Sequence, residues 1–492
     1  MSYKDATLQE VDNALKEAHV AFLSFKNSGG KQRAEFLNAI ANEIEALGQE
    51  LVSTAMQETS LPEARILIER GRTTGHCRMF ANLLEEGSWL DARIDTANPD
   101  RTPAPKPDIR KMLVPIGPVV VFGAANFPLA YSTAGGDTAS ALAAGCPVIV
   151  KAHPAHPKTS ELVASAIKKA IDKTGMPKGV FQHLHGAGFA VGQSLVKHPL
   201  TKAVGFTGSL AGGKALFDTA NQRPEPIPVF AEMSSINPVI LLPETLNREA
   251  EKTGAKLAAS ITLGVGQFCT NPGLIIAIED QGLSCFIKAL SEGIKNTAPG
   301  TMLHQGIADN YSKKLENALA QKGISIEAQS AVPVGAQQGK PVVSSVSASE
   351  FLVNPSLADE VFGPFSLVVK CKDISELHSV IGHLHGQLTC SLFGDEAEIT
   401  KHQNIINTLI EKTGRLIVNG VPTGVEVCSA MQHGGPFPAT TDSRFTAVGA
   451  DAIKRFVRPV AFQSFPDSLL PAELKHSNPL GIWRLCNNEW KK

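Results

Sequence analysis

No apolar run in this chain is long enough to cross a bilayer; runs such as Val119 to Phe122 fall far short. Neither sign of charge is in excess, with Lys+Arg 46 against Asp+Glu 47, so no global field recruits nucleic acid or an anionic membrane. Basic and aromatic residues are not interleaved as on a surface that stacks single-stranded bases. Eight cysteines, at 77, 146, 269, 285, 371, 390, 428 and 486, include no CxxC, so neither a structural zinc site nor a redox pair is signalled. The start, Met1-Ser2-Tyr3-Lys4-Asp5, carries no apolar signal core. These absences together lead us to expect a soluble protein of a reducing cytoplasm.

What is present is an ordinary globular balance, 43% hydrophobic and 19% charged, spread over a length that suggests about three domains. One stretch organises the rest: Leu263-Gly264-Val265-Gly266-Gln267-Phe268-Cys269-Thr270-Asn271-Pro272-Gly273. It is too rich in Gly and Pro to continue a helix, and a β-rich run from Leu274 to Ile278 follows. A thiol on a tight turn between helix and strand is well placed to meet a substrate, and the glycines let backbone amides approach a ligand. Cys269 is therefore a candidate nucleophile; the alternative is a cysteine packed as a small hydrophobe.

Along the chain, residues from about 8 to 90 read as three helical stretches, the last from Pro62 to about Glu86 with Arg65, Arg70, Arg72 and Arg78. Arginines on a helix ordinarily form a solvated face. Asn98 to Asp108, with four prolines, reads as an extended linker or edge hairpin. Strand, loop and helix then alternate: Val119–Phe122, a helix from about Ser132, Pro147–Val150 with Lys151 at its end, a helix from about Thr159, then strands near Gly179 and Ala203. That rhythm predicts a parallel, doubly wound α/β domain, with ligands at the carboxyl ends of its strands, where Asn126, Lys151 and Gly208 fall. A second α/β domain is expected around Cys269, from about 235 to 430. The run Phe456 to Phe465 is expected as an edge strand that pairs with the proline-rich hairpin and reaches a neighbouring subunit.

Further residues have the chemistry of a site. Phe206-Thr207-Gly208-Ser209 opens a helix, with Gly213 following; amides and a hydroxyl there suit a pyrophosphate, although glycines also open helices for packing. Lys151 suits ribose hydroxyls or a phosphate, or is a snorkelling surface lysine. Glu232 ends an apolar strand, so its carboxylate is either paired or poised with raised proton affinity for proton transfer. Glu360 and Phe362 set an acid and an aromatic beside a turn. His378, His383 and His385, like His183 and His185, lack the partners of a metal site, and no metal is expected.

In order, Asn126-Phe127-Pro128, Lys151, Phe206-Thr207-Gly208-Ser209, Glu232, Gly266-Gln267-Phe268-Cys269, Glu360-Val361-Phe362-Gly363-Pro364 and Val418-Asn419-Gly420 resemble the aldehyde dehydrogenase superfamily. The flavour of Ala124–Ala130 and of Lys151-Ala152-His153-Pro154-Ala155-His156-Pro157 is similar to its 2,5-dioxovalerate (α-ketoglutarate semialdehyde) and NADP-dependent fatty aldehyde dehydrogenases. The resemblance implies a Rossmann-like cofactor domain (1–97 and 112–234), an α/β catalytic domain (235–435) and a small β oligomerisation flap (98–111 and 436–466). A tail at 467–492 lies beyond the family motifs. By the same resemblance Cys269 is the nucleophile, and Asn126 with the Cys269 backbone N–H forms the oxyanion hole. Glu232 is the general base. Lys151 serves catalysis and cofactor binding, with His153, Phe206, Gly208, Ser209, Gly213, Glu360 and Phe362 also on the cofactor. Phe127 and Phe268 line the substrate site. A homodimer or homotetramer is implied.

Two departures from the family pattern bear on function. Ser234-Ser235 stands where many members carry Gly-Gly, which affects how closely a cofactor approaches. Pro154 stands where NAD-preferring relatives often place a glutamate. Nothing there repels a 2′-phosphate, and Lys151, His153 and His156 could attract it, so NADP is expected, with NAD possible. Alignment of the Arg78-Met79-Phe80 helix puts Arg72 on the pocket wall, where a guanidinium suits a distal carboxylate. The expected reaction is oxidation of 2,5-dioxopentanoate to 2-oxoglutarate. The alternatives are a long-chain aldehyde substrate, acyl transfer to coenzyme A, which Glu232 as a hydrolytic base argues against, and a structural role without catalysis.

Overall fold

The computed structural model describes residues 3–492. Its first sheet has five parallel strands in the order Phe181–Leu184, Val148–Lys151, Val119–Phe122, Ala203–Thr207 and Val229–Glu232. Nearly every residue of the central strands is apolar because both faces are covered. Val119, Val121, Val148 and Val150 pack with Gly30–Ala46, Glu63–Glu86, Gly136–Ala144 and Pro157–Thr174, whereas Val120, Ile149 and Val204 pack with Leu8–Phe25 and Phe189–Lys197.

The second sheet has seven strands in the order Ser325–Gln329, Val342–Ser347, Phe365–Cys371, Leu274–Ile278, Val239–Leu241, Gln387–Phe393 and Thr413–Val418. All of its pairings are parallel except that of Ser325–Gln329. Crossover helices Pro243–Thr262 and Gln281–Asn296 cover one face. The turn that carries Cys269 lies between the first of these helices and the central strand Leu274–Ile278.

The amino-terminal region holds four helices rather than three, since Gly48–Thr59 forms one of its own. The helix expected from Ser132 begins only at Gly136. Before it the chain doubles back, with Tyr131 N–H on Phe127 O and Gly136 N–H on Ala130 O. The strand Val457–Gln463 pairs antiparallel with Ile109–Pro115, which follows the proline-rich hairpin, and not with the hairpin itself. The hairpin is reduced to one bridge, Asn98 with Lys106. The tail joins the same sheet, because Arg484–Cys486 pairs with Arg93–Asp95 and Glu489–Lys491 with Arg484–Cys486. Among the described residues no helix is long and apolar enough to cross a membrane.

A buried ion pair fastens the turn Ala450–Phe456, just ahead of the strand Val457–Gln463, to the helix Gly136–Ala144. Arg455 Nη1 lies 2.6 Å from Asp137 Oδ1, and Arg455 Nη2 donates to Ser140 Oγ. The Arg455 side chain is 3% exposed. Removing one partner strands a charge in the core, so Arg455→Met is expected to cost about 3–5 kcal/mol in urea denaturation. Adding Asp137→Leu should recover much of that loss.

Candidate active site

Cys269 sits half-buried on a turn that only a few backbone conformations allow. Gly264, Val265 and Gly266 run through the left-handed region at φ 54°, 58° and 64°. A Cβ at Gly266 would lie 2.3 Å from the Gly363 carbonyl, so glycine there lets the turn press against the 360–364 segment. The turn is then stapled from below. Asn237, itself left-handed at φ 47°, donates from Nδ2 to Cys269 O at 2.8 Å and Asn271 O at 3.0 Å. Its Oδ1 accepts from Thr389 Oγ1, while Gln387 Oε1 accepts from the N–H groups of Ile236 and Asn237. Ser235 Oγ, at the Gly-Gly departure, lies within bonding reach of Asn237 and Gln387 and accepts from Leu388 N–H. Apart from Cys269 itself the network is buried, and a satisfied buried network rigidifies what it holds.

The sequence-predicted residues converge on the thiol to different degrees. Asn126 projects from the loop after Val119–Phe122, and its Nδ2 donates to Gln267 O, two residues before the nucleophile, at 3.2 Å. Among the described residues nothing accepts from the Cys269 backbone N–H. The Asn126 loop is braced by His156, whose Nε2 donates to Ala124 O at 2.8 Å, and by Glu69 Oε1, which accepts from Leu129 and Ala130 N–H. Phe127 packs edge-on against Phe268 and Tyr131. Val425, Val427, Met431 and Val448 join these rings in an apolar wall.

Glu232 ends its strand beside the thiol, and His433, which the sequence reading missed, completes the group. His433 Nε2 is 3.6 Å from Cys269 Sγ and 3.1 Å from Glu232 Oε2. The donor atoms of all three residues lie within 4.8 Å of one another. His433 arrives because the segment 433–446 runs back along the strand: Glu232 bridges Thr440, Met233 N–H donates to Ala439 O, and Thr441 N–H donates to Ala231 O. Neither Glu232 oxygen completes a well-aligned hydrogen bond among the described residues, although the side chain is only 3% exposed. Burial pushes this carboxyl up, but His433, the thiol and Arg72 pull it further down, so it lies below the ordinary carboxylate value. Of the two expectations for Glu232, the paired and ionised one describes it, and the raised proton affinity does not. Burial and the Glu232 charge push the Cys269 thiol well above its ordinary value, while Arg72 opposes them.

Three guanidiniums face this cluster, where the sequence suggested a largely solvated arginine face. Arg72 donates to Tyr131 Oη at 2.9 Å. Arg65 lies 4.3 Å from the Phe127 ring centre and 5.1 Å from that of Phe268. Arg415 donates to the carbonyls of Pro422 and Gly424. Arg78 does remain at the surface, paired with Glu45.

The remaining candidates line a groove at the carboxyl ends of the first sheet. Gly208, Ser209, Leu210 and Ala211 are exposed at the start of the helix Leu210–Asn221. Ser209 Oγ caps Gly212 N–H, so the hydroxyl is already engaged and the amides ahead of it are what a phosphate would meet. A Cβ at Gly213 would strike Met233, which makes that glycine a packing requirement. Phe206 covers Gly208 and Gly212. Lys151 Nζ donates to Ala152 O and Gly186 O, which ties it to this groove and not to the thiol. His156 is fully buried on the Ala124 carbonyl and cannot reach a 2′-phosphate. Burial, His156 and Lys151 hold His153 well below the usual imidazole value, so it brings no charge at neutral pH. Glu360 Oε2 accepts from Ser234 Oγ at 3.0 Å, the second consequence of the Gly-Gly departure. Burial pushes Glu360 up to about 7, and Phe362 stands half-buried on the same turn.

The two charges beside the sulfur act with opposite sign on its titration. Glu232→Gln removes an anion and should move the pH midpoint of alkylation by iodoacetamide downward. Arg72→Gln removes a cation and should move it upward. Alkylation rates across a pH series on the three proteins measure both.

The aldehyde dehydrogenase family model matches residues 1–454. The chain is 52% identical over 481 residues to alpha-ketoglutaric semialdehyde dehydrogenase 2 of Azospirillum brasilense, covering 98% of this chain and 91% of that one. It is 49% identical over 486 residues to alpha-ketoglutaric semialdehyde dehydrogenase of Acinetobacter baylyi, covering 99% and 92%. In fold it is similar to a 1-pyrroline-5-carboxylate dehydrogenase, with TM-score 0.77 and 20% identity over 93% of this chain and 86% of that one. It is likewise similar to betaine aldehyde dehydrogenase of Staphylococcus aureus in complex with NAD+, with TM-score 0.79 and 20% identity over 94% and 90%.

Proposed function

The chain belongs to the aldehyde dehydrogenase family, and from that premise we propose that it oxidises 2,5-dioxopentanoate (α-ketoglutarate semialdehyde) to 2-oxoglutarate. The observation that carries the reading is one buried group of thiol, carboxylate and imidazole, with an amide donor on one side and guanidiniums on the other. The two relatives of about half-identical sequence carry the name of that activity. A long-chain aldehyde would suit the apolar wall but would leave the buried guanidiniums without a partner.

Cys269 attacks the aldehyde carbon as a thiolate, and the thiol proton passes to Glu232, directly or by way of His433. The developing oxyanion falls between the Asn126 side-chain amide and the Cys269 backbone N–H. Members of the family use NAD(P), and the exposed amides at Gly208–Ala211, the Lys151 ammonium and the Glu360 carboxyl form a donor set that suits phosphates and ribose hydroxyls. A bound nicotinamide would supply the hydride acceptor that turns the thiohemiacetal into a thioester. Once Glu232 has given the thiol proton up to solvent, it takes a proton from water; the hydroxide adds to the thioester carbon, the C–S bond breaks, and the acid leaves with the Cys269 thiolate restored. NADP is our reading of the preferred form, because Pro154 places no carboxylate against a 2′-phosphate. With His153 neutral, Lys151 is the charge that remains to attract it. We also read the outer edge of Val457–Gln463 as a subunit contact in a dimer or tetramer, and the eight free cysteines as fitting the cytoplasm.

One panel crossing 2,5-dioxopentanoate and hexanal with NADP and NAD tests substrate and cofactor together. The semialdehyde with NADP is expected to give the highest kcat/KM, and NAD favoured by about tenfold would reverse the cofactor reading. Asn126→Ala should lower kcat by about a hundredfold or more. Glu360 at about 7 is ionised above neutrality, so cofactor Kd, read by fluorescence titration, should fall as pH rises through that value. Glu360→Gln should flatten the dependence.

A further inference from the structure

The helix Glu63–Glu86 brings more positive charge to the nucleophile than the chemistry above uses. Arg65 and Arg72 stand seven residues apart, two turns along one face. Their guanidiniums meet over a single ring, 4.3 Å and 5.7 Å from the centre of Phe127. Phe268, the residue before the nucleophile, flanks Arg65 on its other side at 5.1 Å, and Tyr131 holds Arg72. Two like charges converging in a half-buried space repel, and a carboxylate between them relieves that.

The protein itself supplies little of that relief. Glu69 Oε2 lies 3.6 Å from Arg65, too far for a hydrogen bond, and Glu69 Oε1 is already engaged with Leu129 and Ala130 N–H. Among the described residues nothing accepts a hydrogen bond from the Arg65 guanidinium, and that of Arg72 has only the Tyr131 hydroxyl. Arg415 differs, since its Nη2 braces the carbonyls of Pro422 and Gly424. The planar donor edges left over therefore belong to Arg65 and Arg72. Arg65 sits beside Phe268, one residue from the sulfur, and Arg72 beside Tyr131.

We propose that Arg65 is a specificity-determining residue, forming with Arg72 a two-guanidinium clamp on the carboxylate at the far end of the substrate. Phe127 and Phe268 fix the Arg65 plane, so the fork is in place before substrate arrives. The proposal rests on the semialdehyde-acid reading above and adds which groups select the anion. It makes the preferred substrates short ω-oxo acids, because the clamp begins next to the nucleophile.

The test compares 5-oxopentanoate with pentanal, equal in length and differing by the carboxylate, and uses the ratio of their kcat/KM values. Arg65→Gln should lower that ratio by about thirtyfold or more, mainly through KM for the acid. Arg65→Lys should fall between, keeping charge but losing the fork. A second readout needs no turnover: glutarate should protect Cys269 of the wild type from iodoacetamide, and about tenfold more of it should be needed in either variant. A merely structural role for Arg65 would depress both substrates alike and leave the ratio standing. A high wild-type ratio that Arg65→Gln and Arg65→Lys leave unchanged, with glutarate protection intact, would overturn the clamp alone. A wild-type ratio near one would overturn the semialdehyde reading and the clamp with it.

Discussion

Glu232 keeps an ionised carboxylate almost out of water, at the tip of a parallel strand, with no protein donor squarely aimed at either oxygen. Such a charge is costly to bury, and the surroundings compensate first through His433, then through the thiol and Arg72. On the proposed mechanism the same carboxylate takes a proton from the thiol, sheds it, and later takes one from water. The returning segment 433–446 matters for the same reason, since pairing along Val229–Glu232 is what delivers His433.

The thiol is held as firmly as the carboxylate, by a different device. A left-handed run through Gly264–Gly266 aims the turn, and Asn237 pins its carbonyls from within the second sheet. The serines that replace a glycine pair in this chain are absorbed on both sides. Ser235 enters the buried network under the nucleophile, and Ser234 reaches Glu360. Side chains at these positions tie the nucleophile turn to the carboxyl on the groove side.

Cys269 and Asn126 stood out in the sequence because each falls where an apolar element breaks into Gly- and Pro-bearing loop, and Glu232 because a lone carboxylate ends an apolar strand, all local signals. The alternation of strands and helices was legible for the same reason. His433, Asn237 and Arg65 were not, because what places them at the candidate site is contact between residues 34 to 203 apart in the chain. Helical spacing alone cannot tell a solvated arginine face from one roofed by a distant aromatic loop, and so Arg65 read as surface. His156 failed in the opposite way: its position beside Lys151 suggested a phosphate ligand, yet burial commits it to the Ala124 carbonyl. The tail gave no signal, since its short strands acquire meaning only against Arg93–Asp95.

The shielded carboxylate at the strand tip has one more effect. On the proposed chemistry, hydrolysis of the neutral thioester leaves a second anion next to Glu232, in a space with little water to screen it. On that reading, repulsion from Glu232 favours departure of the finished acid at the end nearest the sulfur.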